Sequence, residues 1–190
     1  MIAKNYLWLE ASYAEIDAAV DSIEKYACSK TYVHIYSAKG SDDALQDAAF
    51  LDKMRALSDL QLSELLAEGD LEKVAFGEDE SLESRFHLAI EYLILLGKAE
   101  SPAEKLDAIH LFIKSAAETL GNQGADLLLP MLAWIVLRLS PPHIISDVRF
   151  VQRFRNASRI TGEVAYCLTN MVFNDHFVLI QSYCRLPSLR

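Results

Sequence analysis

The sequence predicts an all-α fold, a layered single domain of seven or eight helices. Three observations carry that expectation. The 190 residues include only 7 Gly and 5 Pro, few for an all-β chain that must turn every ~8–12 residues. No stretch alternates apolar and polar residues with period two beyond a few positions, so nothing demands a sheet. Apolar residues instead recur at three- and four-residue spacing between helix starts and stops. With 52% hydrophobic and 24% charged residues, a disordered chain is excluded. The length suits one domain over 1–190, at roughly 100–200 residues per domain.

In chain order, Ile16, Val20, Ile23 and Ala27 mark a first helix between Ser12 and Ser37. Lys39–Asp43 is turn material, with Ser41 placed to cap a second helix whose inner face reads as Ala44, Leu45, Ala48, Ala49 and Leu51. A short helix is expected from Asp59 to Leu66, and Gly77–Ser81 reads as an acidic, solvated loop. Leu88, Ile90, Tyr92 and Leu95 mark the next helix, ending at Gly97. Ser101-Pro102-Ala103-Glu104 combines a capping Ser, a Pro at the first helical position and a Glu three residues after the cap. Leu106, Ile109, Ile113, Ala116 and Leu120 then trace one face, and Gly121 stops the helix. Gly124 to Leu139 is apolar on all sides, so it belongs at the centre of the fold. Ser140-Pro141-Pro142 ends it, because each Pro lacks a donor and restricts its predecessor. Ile145, Val148 and Val151 face inward from a helix over Ile144–Phe154, with Arg149, Arg153 and Arg155 expected outside. After the loop at Asn156–Arg159, a last helix is expected from about Gly162 to Ile180.

The charge balance narrows the partners. With 18 Lys+Arg against 27 Asp+Glu, the net charge is −9. Nucleic-acid binding needs a basic face, and anionic lipid attracts the same sign, so neither is expected. A protein surface with basic patches fits better. Cys28, Cys167 and Cys184 are odd in number and show no C-x-x-C spacing, which suits a reducing compartment better than a disulfide scaffold. Glu10 interrupts the amino-terminal stretch before any signal-peptide core can form. The longest apolar run, Leu127–Leu137, is 11 residues against the ~20 a bilayer span requires. A soluble, intracellular protein without direct membrane insertion is the expectation.

Enzyme chemistry leaves little trace. Gly121-Asn122-Gln123-Gly124 lacks the Lys-Ser/Thr of a phosphate loop. His34, His87, His110, His143 and His176 never stand at metal spacing with a second ligand, so neither a metal nor a cofactor is expected. Cys167 lies in an apolar helix with no base nearby in sequence and reads as an inert core thiol. Asp126 is different, because it stands between a Gly-rich turn and the most apolar helix in the chain. Its carboxylate is suited to cap that helix. Composition alone favours that cap, but Pro130 one turn later, where a helix interior loses a hydrogen bond, gives the pair a geometry that a binding site can use.

These residues together resemble a family. Gly124-Ala125-Asp126-Leu127-Leu128-Leu129-Pro130, the apolar helix and Ser140-Pro141-Pro142 look like the core of the vacuolar-protein-sorting-nine (Vps-nine) domain. Phe150-Val151-Gln152-Arg153-Phe154, Asn156-Ala157-Ser158-Arg159 and the run from Thr161 to Asn170 continue the match. Upstream, Ile23-Glu24-Lys25-Tyr26 and Ser101-Pro102-Ala103-Glu104-Lys105-Leu106 fit in order, so the resemblance spans about 15–183.

The resemblance implies a layered helical domain that acts as a guanine nucleotide exchange factor on endosomal Rab GTPases of the Rab-five subfamily. Such a factor accelerates nucleotide release without covalent chemistry. It implies a cytoplasmic protein, recruited peripherally to early endosomes. Asp126 falls on the family's acidic finger, which expels Mg²⁺ and engages the phosphate-loop Lys of the GTPase. Pro130, Tyr166 and Thr169 fall on positions that grip the switch regions, and a spacing of three puts Tyr166 and Thr169 in reach of one groove. Some details depart from the pattern. Leu127 replaces a second acid, Ser140 an Asn, and Ala165 a Gly found in some members. The helical bundle that precedes this core in some relatives is expected to be absent or reduced. The alternative reading is a non-catalytic Rab-binding or scaffold module. A small-molecule hydrolase has no triad or metal set behind it.

Overall fold

The structure, a computed structural model, describes residues 6–62, 66, 70, 81–121 and 127–171. Among them every regular element is helical. A 3₁₀ turn at Tyr6–Trp8 leads to α1, Tyr13–Ile35. There the Ser12 hydroxyl accepts from Glu15 N at 3.3 Å, while Glu15 Oε2 accepts from Ser12 N at 2.8 Å. That reciprocal box satisfies two otherwise orphan donors. Ser41 caps α2, Asp42–Ala56, as its position in the turn predicts. A single turn, α3 (Leu82–Arg85), precedes α4 (His87–Lys98). The Ser101 hydroxyl accepts from Glu104 N to open α5, Pro102–Leu120, and Gly121 closes it at φ 61°. α6, Leu128–Leu139, ends at Ser140 in the left-handed region, φ 44°, before the two prolines. α7, Ile144–Phe154, and a 3₁₀ turn at Ala157–Arg159 lead into α8, described over 162–171.

α5 is the hub, packing against α1, α4, α6 and α7. Its Ile109, Phe112, Ile113 and Ala116 are buried, and in α6 every residue from Met131 to Leu137 is buried. Each such aliphatic side chain contributes on the order of 1.5–3 kcal/mol on leaving water. The apolar sequence around Leu128–Leu139 therefore sits where its composition requires.

The remaining joints are polar. Asp47 of α2 caps α7, its Oδ1 accepting from Ile145 N at 3.0 Å and Ser146 N at 3.1 Å. Asp43 takes Arg149 at 2.7 Å and also binds Arg153. α1 offers an acidic stripe to the loop after α7. Arg155 reaches Asp21 at 2.9 Å and Glu24 at 2.8 Å, Asn156 N donates to Glu24 at 2.8 Å, and Arg159 pairs with Asp17 and Asp21. Between α5 and α7, Lys105 Nζ meets Asp147 Oδ1 at 2.6 Å, with side chains 0% and 2% exposed. Lys105 also donates to Leu96 O, and Tyr36 donates its hydroxyl proton to Asp147 at 2.5 Å. The Lys105 ammonium stands 4.7 Å from the Tyr36 ring centroid, so the buried charge has a partner on each side.

These joints correct several face assignments. The inner face of α2 is Asp43, Asp47, Phe50 and Met54, while Leu45 is 65% exposed. In α1 only Cys28 is buried, and Ile23 and Ala27 lie outside. α4 buries Ala89, Leu93 and Leu96 and exposes Leu88 and Leu95, and it runs one residue past Gly97. Arg155, expected outside, is an almost enclosed clamp with its side chain 11% exposed. Leu57–Asp59 form a turn at the start of the expected helix from Asp59 to Leu66, and residues 63–65 of that helix, like residues 77–80 of the acidic loop, lie outside the described residues.

Candidate functional site

α5, α6 and α8 meet around a groove of about 420 Å³. Ile113 and Cys167 form a buried floor, extended by Ala117 and Leu128. Lys114 and Glu118 from α5, with Glu163 and Tyr166 from α8, form the rim. Tyr166 is 60% exposed, an aromatic side chain at the rim of an apolar floor. The loop clamped by Asp21 and Glu24 delivers the chain into α8 through Gly162 at φ 58°, a conformation that glycine adopts without strain.

The other site residues stand in different relations to this groove. Thr169 is exposed one turn beyond Tyr166 and donates its hydroxyl proton to Ala165 O at 2.8 Å, back onto its own helix. Pro130 is partly buried in the first turn of α6, two residues from the lining Leu128, and does not line the groove itself. Asp126 lies outside the described residues. Leu127, the residue after it, has helical φ/ψ and makes no side-chain cap bond.

The groove offers recognition rather than bond-making. Burial, helped by Glu163, pushes the Cys167 thiol up to about 11, which keeps it protonated and unreactive near neutrality. His110 Nε2 stands 3.4 Å from Glu163 Oε1 but makes no hydrogen bond. An exposed aromatic over an apolar floor with a charged rim is the composition of a protein-interface centre. Sequence reasoning found Tyr166 and missed Lys114, Glu118 and Gly121, because α5 was read only for its inner stripe. The signal was available: Lys114 and Glu118 are one turn apart on the opposite face.

Residues 86–178 match the vacuolar sorting protein 9 (VPS9) domain. The chain carries a VPS9 domain. Its matched stretch takes in α5, α6 and the described part of α8, and so the whole of the Tyr166 groove. Three relatives illustrate the likeness. A Rab5 GDP/GTP exchange factor from Homo sapiens is 30% identical over 165 residues, covering 82% of this chain and 32% of that protein. The vacuolar protein sorting-associated protein 9A of Arabidopsis thaliana is 28% identical over 181 residues, covering 90% and 33%. The vacuolar protein sorting-associated protein vps901 of Schizosaccharomyces pombe is 26% identical over 186 residues, covering 90% and 31%. The chain thus spans about a third of the length of these relatives. Among the described residues no single helix is long and apolar enough to cross a membrane.

Proposed function

We propose that this chain is a guanine nucleotide exchange factor for Rab GTPases of the Rab-five subfamily, acting at endosomes as a peripheral protein. The observation that carries the reading is Tyr166, presented over an apolar groove beside the start of α6. The likeness to a Rab5 GDP/GTP exchange factor supports the choice of partner. Asp126 is the acidic finger. A carboxylate brought to the nucleotide site competes with phosphate for the phosphate-loop Lys and displaces Mg²⁺. GDP then loses its main electrostatic anchors and leaves. Tyr166, Thr169 and Pro130 hold the switch regions open, and their contacts count only in so far as they favour the open, nucleotide-depleted GTPase over the closed one.

The decisive variant is Asp126→Asn, because Asn caps a helix about as well as Asp but carries no charge. Exchange on a Rab-five-type GTPase and the thermal midpoint are measured together. A finger gives a variant as stable as wild type and nearly inactive. Wild-type exchange by a folded Asp126→Asn protein sinks the finger, and binding without exchange by the wild type makes the domain a scaffold.

A further inference from the structure

The rim of the Tyr166 groove is not electrically uniform, and we infer that it selects a GTPase surface whose apolar side chain is flanked by a basic one, with Glu118 as the specificity-determining contact; this rests on the exchange reading. The floor of Ile113 and Cys167 is buried and apolar, and about 420 Å³ of space lies above it. That takes an aliphatic or aromatic side chain from the partner. Two carboxylates line the same groove in unlike states. Glu163 has the His110 imidazole 3.4 Å away. Among the described residues Glu118 has neither an ion pair nor a hydrogen bond, not even with Lys114 one turn back on α5. Its charge is free to meet a partner.

Position sharpens the assignment. Glu118 stands at the end of the groove marked by Gly121 and Leu128, where α5 stops and α6 begins. Among the described residues, nothing stands within 4 Å of where a side chain on Gly121 would begin. Lys114 lies one helical turn away, ~6 Å along α5, and marks the other side of the contact. A partner with a basic group beside its apolar anchor gains a pair with Glu118. One with a neutral group there gains nothing, and one with an acidic group is repelled, which is how a rim charge discriminates. The chain's net charge of −9 steers the same partners toward the groove.

The test uses the full chain on Rab-five-type GTPases loaded with fluorescent GDP, at low and high ionic strength. At low ionic strength Glu118→Gln is expected to lower kcat/KM about 2- to 5-fold, mainly through KM, with an unchanged melting temperature. Glu118→Lys lowers it further, both deficits shrink at high ionic strength, and one Lys or Arg→Glu change on the GTPase restores the Glu118→Lys variant. Both variants matching wild type while Tyr166→Ala loses activity would overturn the basic flank and leave the groove in use. A deficit that persists undiminished at high ionic strength overturns it too, since shape rather than charge is then read. A wild type inert on every GTPase overturns the exchange reading and this inference with it.

Discussion

α2 and α5 are both helices opened by a Ser cap, yet they bury different kinds of surface. α5 turns Ile109, Phe112 and Ile113 inward, and the hydrophobic pattern points straight at its core face. α2 turns Asp43 and Asp47 inward with Phe50 and Met54, and leaves Leu45 outside. The difference lies in what each helix packs against. α5 meets the apolar flanks of four helices, while α2 meets the N-terminus and arginines of α7. Exposed backbone N–H groups at a helix start demand an acceptor, and a carboxylate supplies it better than a leucine.

The largest expected effect comes from the one place where the two regimes overlap, the Lys105–Asp147 pair inside the apolar hub. Lys105→Met leaves Asp147 buried without its cation, and about 3–5 kcal/mol of stability is expected to go. Burial raises the Asp147 carboxyl, and only Lys105 and Tyr36 counter it. The double variant Lys105→Met/Asp147→Leu should regain much of the loss, short by the now unpaired Tyr36 hydroxyl. Urea unfolding measures both. A Lys105→Met protein as stable as wild type would mean that the pair does not hold α5 to α7.

A paired comparison within α2 comes next. Phe50→Ala removes a 5% exposed ring from the core, at an expected cost of about 3–5 kcal/mol. Leu45→Gln, on the helix face that the apolar pattern marks as inner, should change stability by no more than about 0.5 kcal/mol. Equal losses would restore the face that hydrophobicity alone assigns. Nothing else in α2 separates the two descriptions so cleanly.

What the sequence revealed follows the same division. The caps at Ser41 and Ser101, the stop at Gly121 and the central place of α6 were legible, since local chemistry or uniform apolarity decides each. The inner faces of α1 and α2 were not, because Asp21, Glu24, Asp43 and Asp47 find their partners more than 90 residues away. No local pattern encodes such a pairing. At the candidate site Tyr166 was legible through the family resemblance. Glu118 was hidden, since a charged residue on an outer helix face looks like any solvated one until α8 is brought beside it.

The smallest expected effect tests whether the charged joint is the reason for α2's inverted face. Arg153, and with it Arg149, holds the Asp43 carboxyl below its ordinary value despite burial. The unfolded chain carries Asp near ~3.9, so on acidification it takes up the proton before the folded one does. The stabilisation from Asp43 is therefore complete above ~5 and is lost as pH falls through the depressed folded value. Its size is on the order of 1 kcal/mol, because half of Arg153 is in solvent and screened. Asp21 and Glu104 are also depressed, so the wild-type curve alone does not isolate Asp43. Subtracting the curve of Asp43→Asn does, since the variant keeps every other carboxylate. The stability gap between the two proteins should be flat from pH 7 to about 5 and narrow steadily below about 4. A gap that stays constant down to pH 3 would place the worth of Asp43 in shape and neutral hydrogen bonding, and α2 would owe its orientation to Phe50 and Met54 alone.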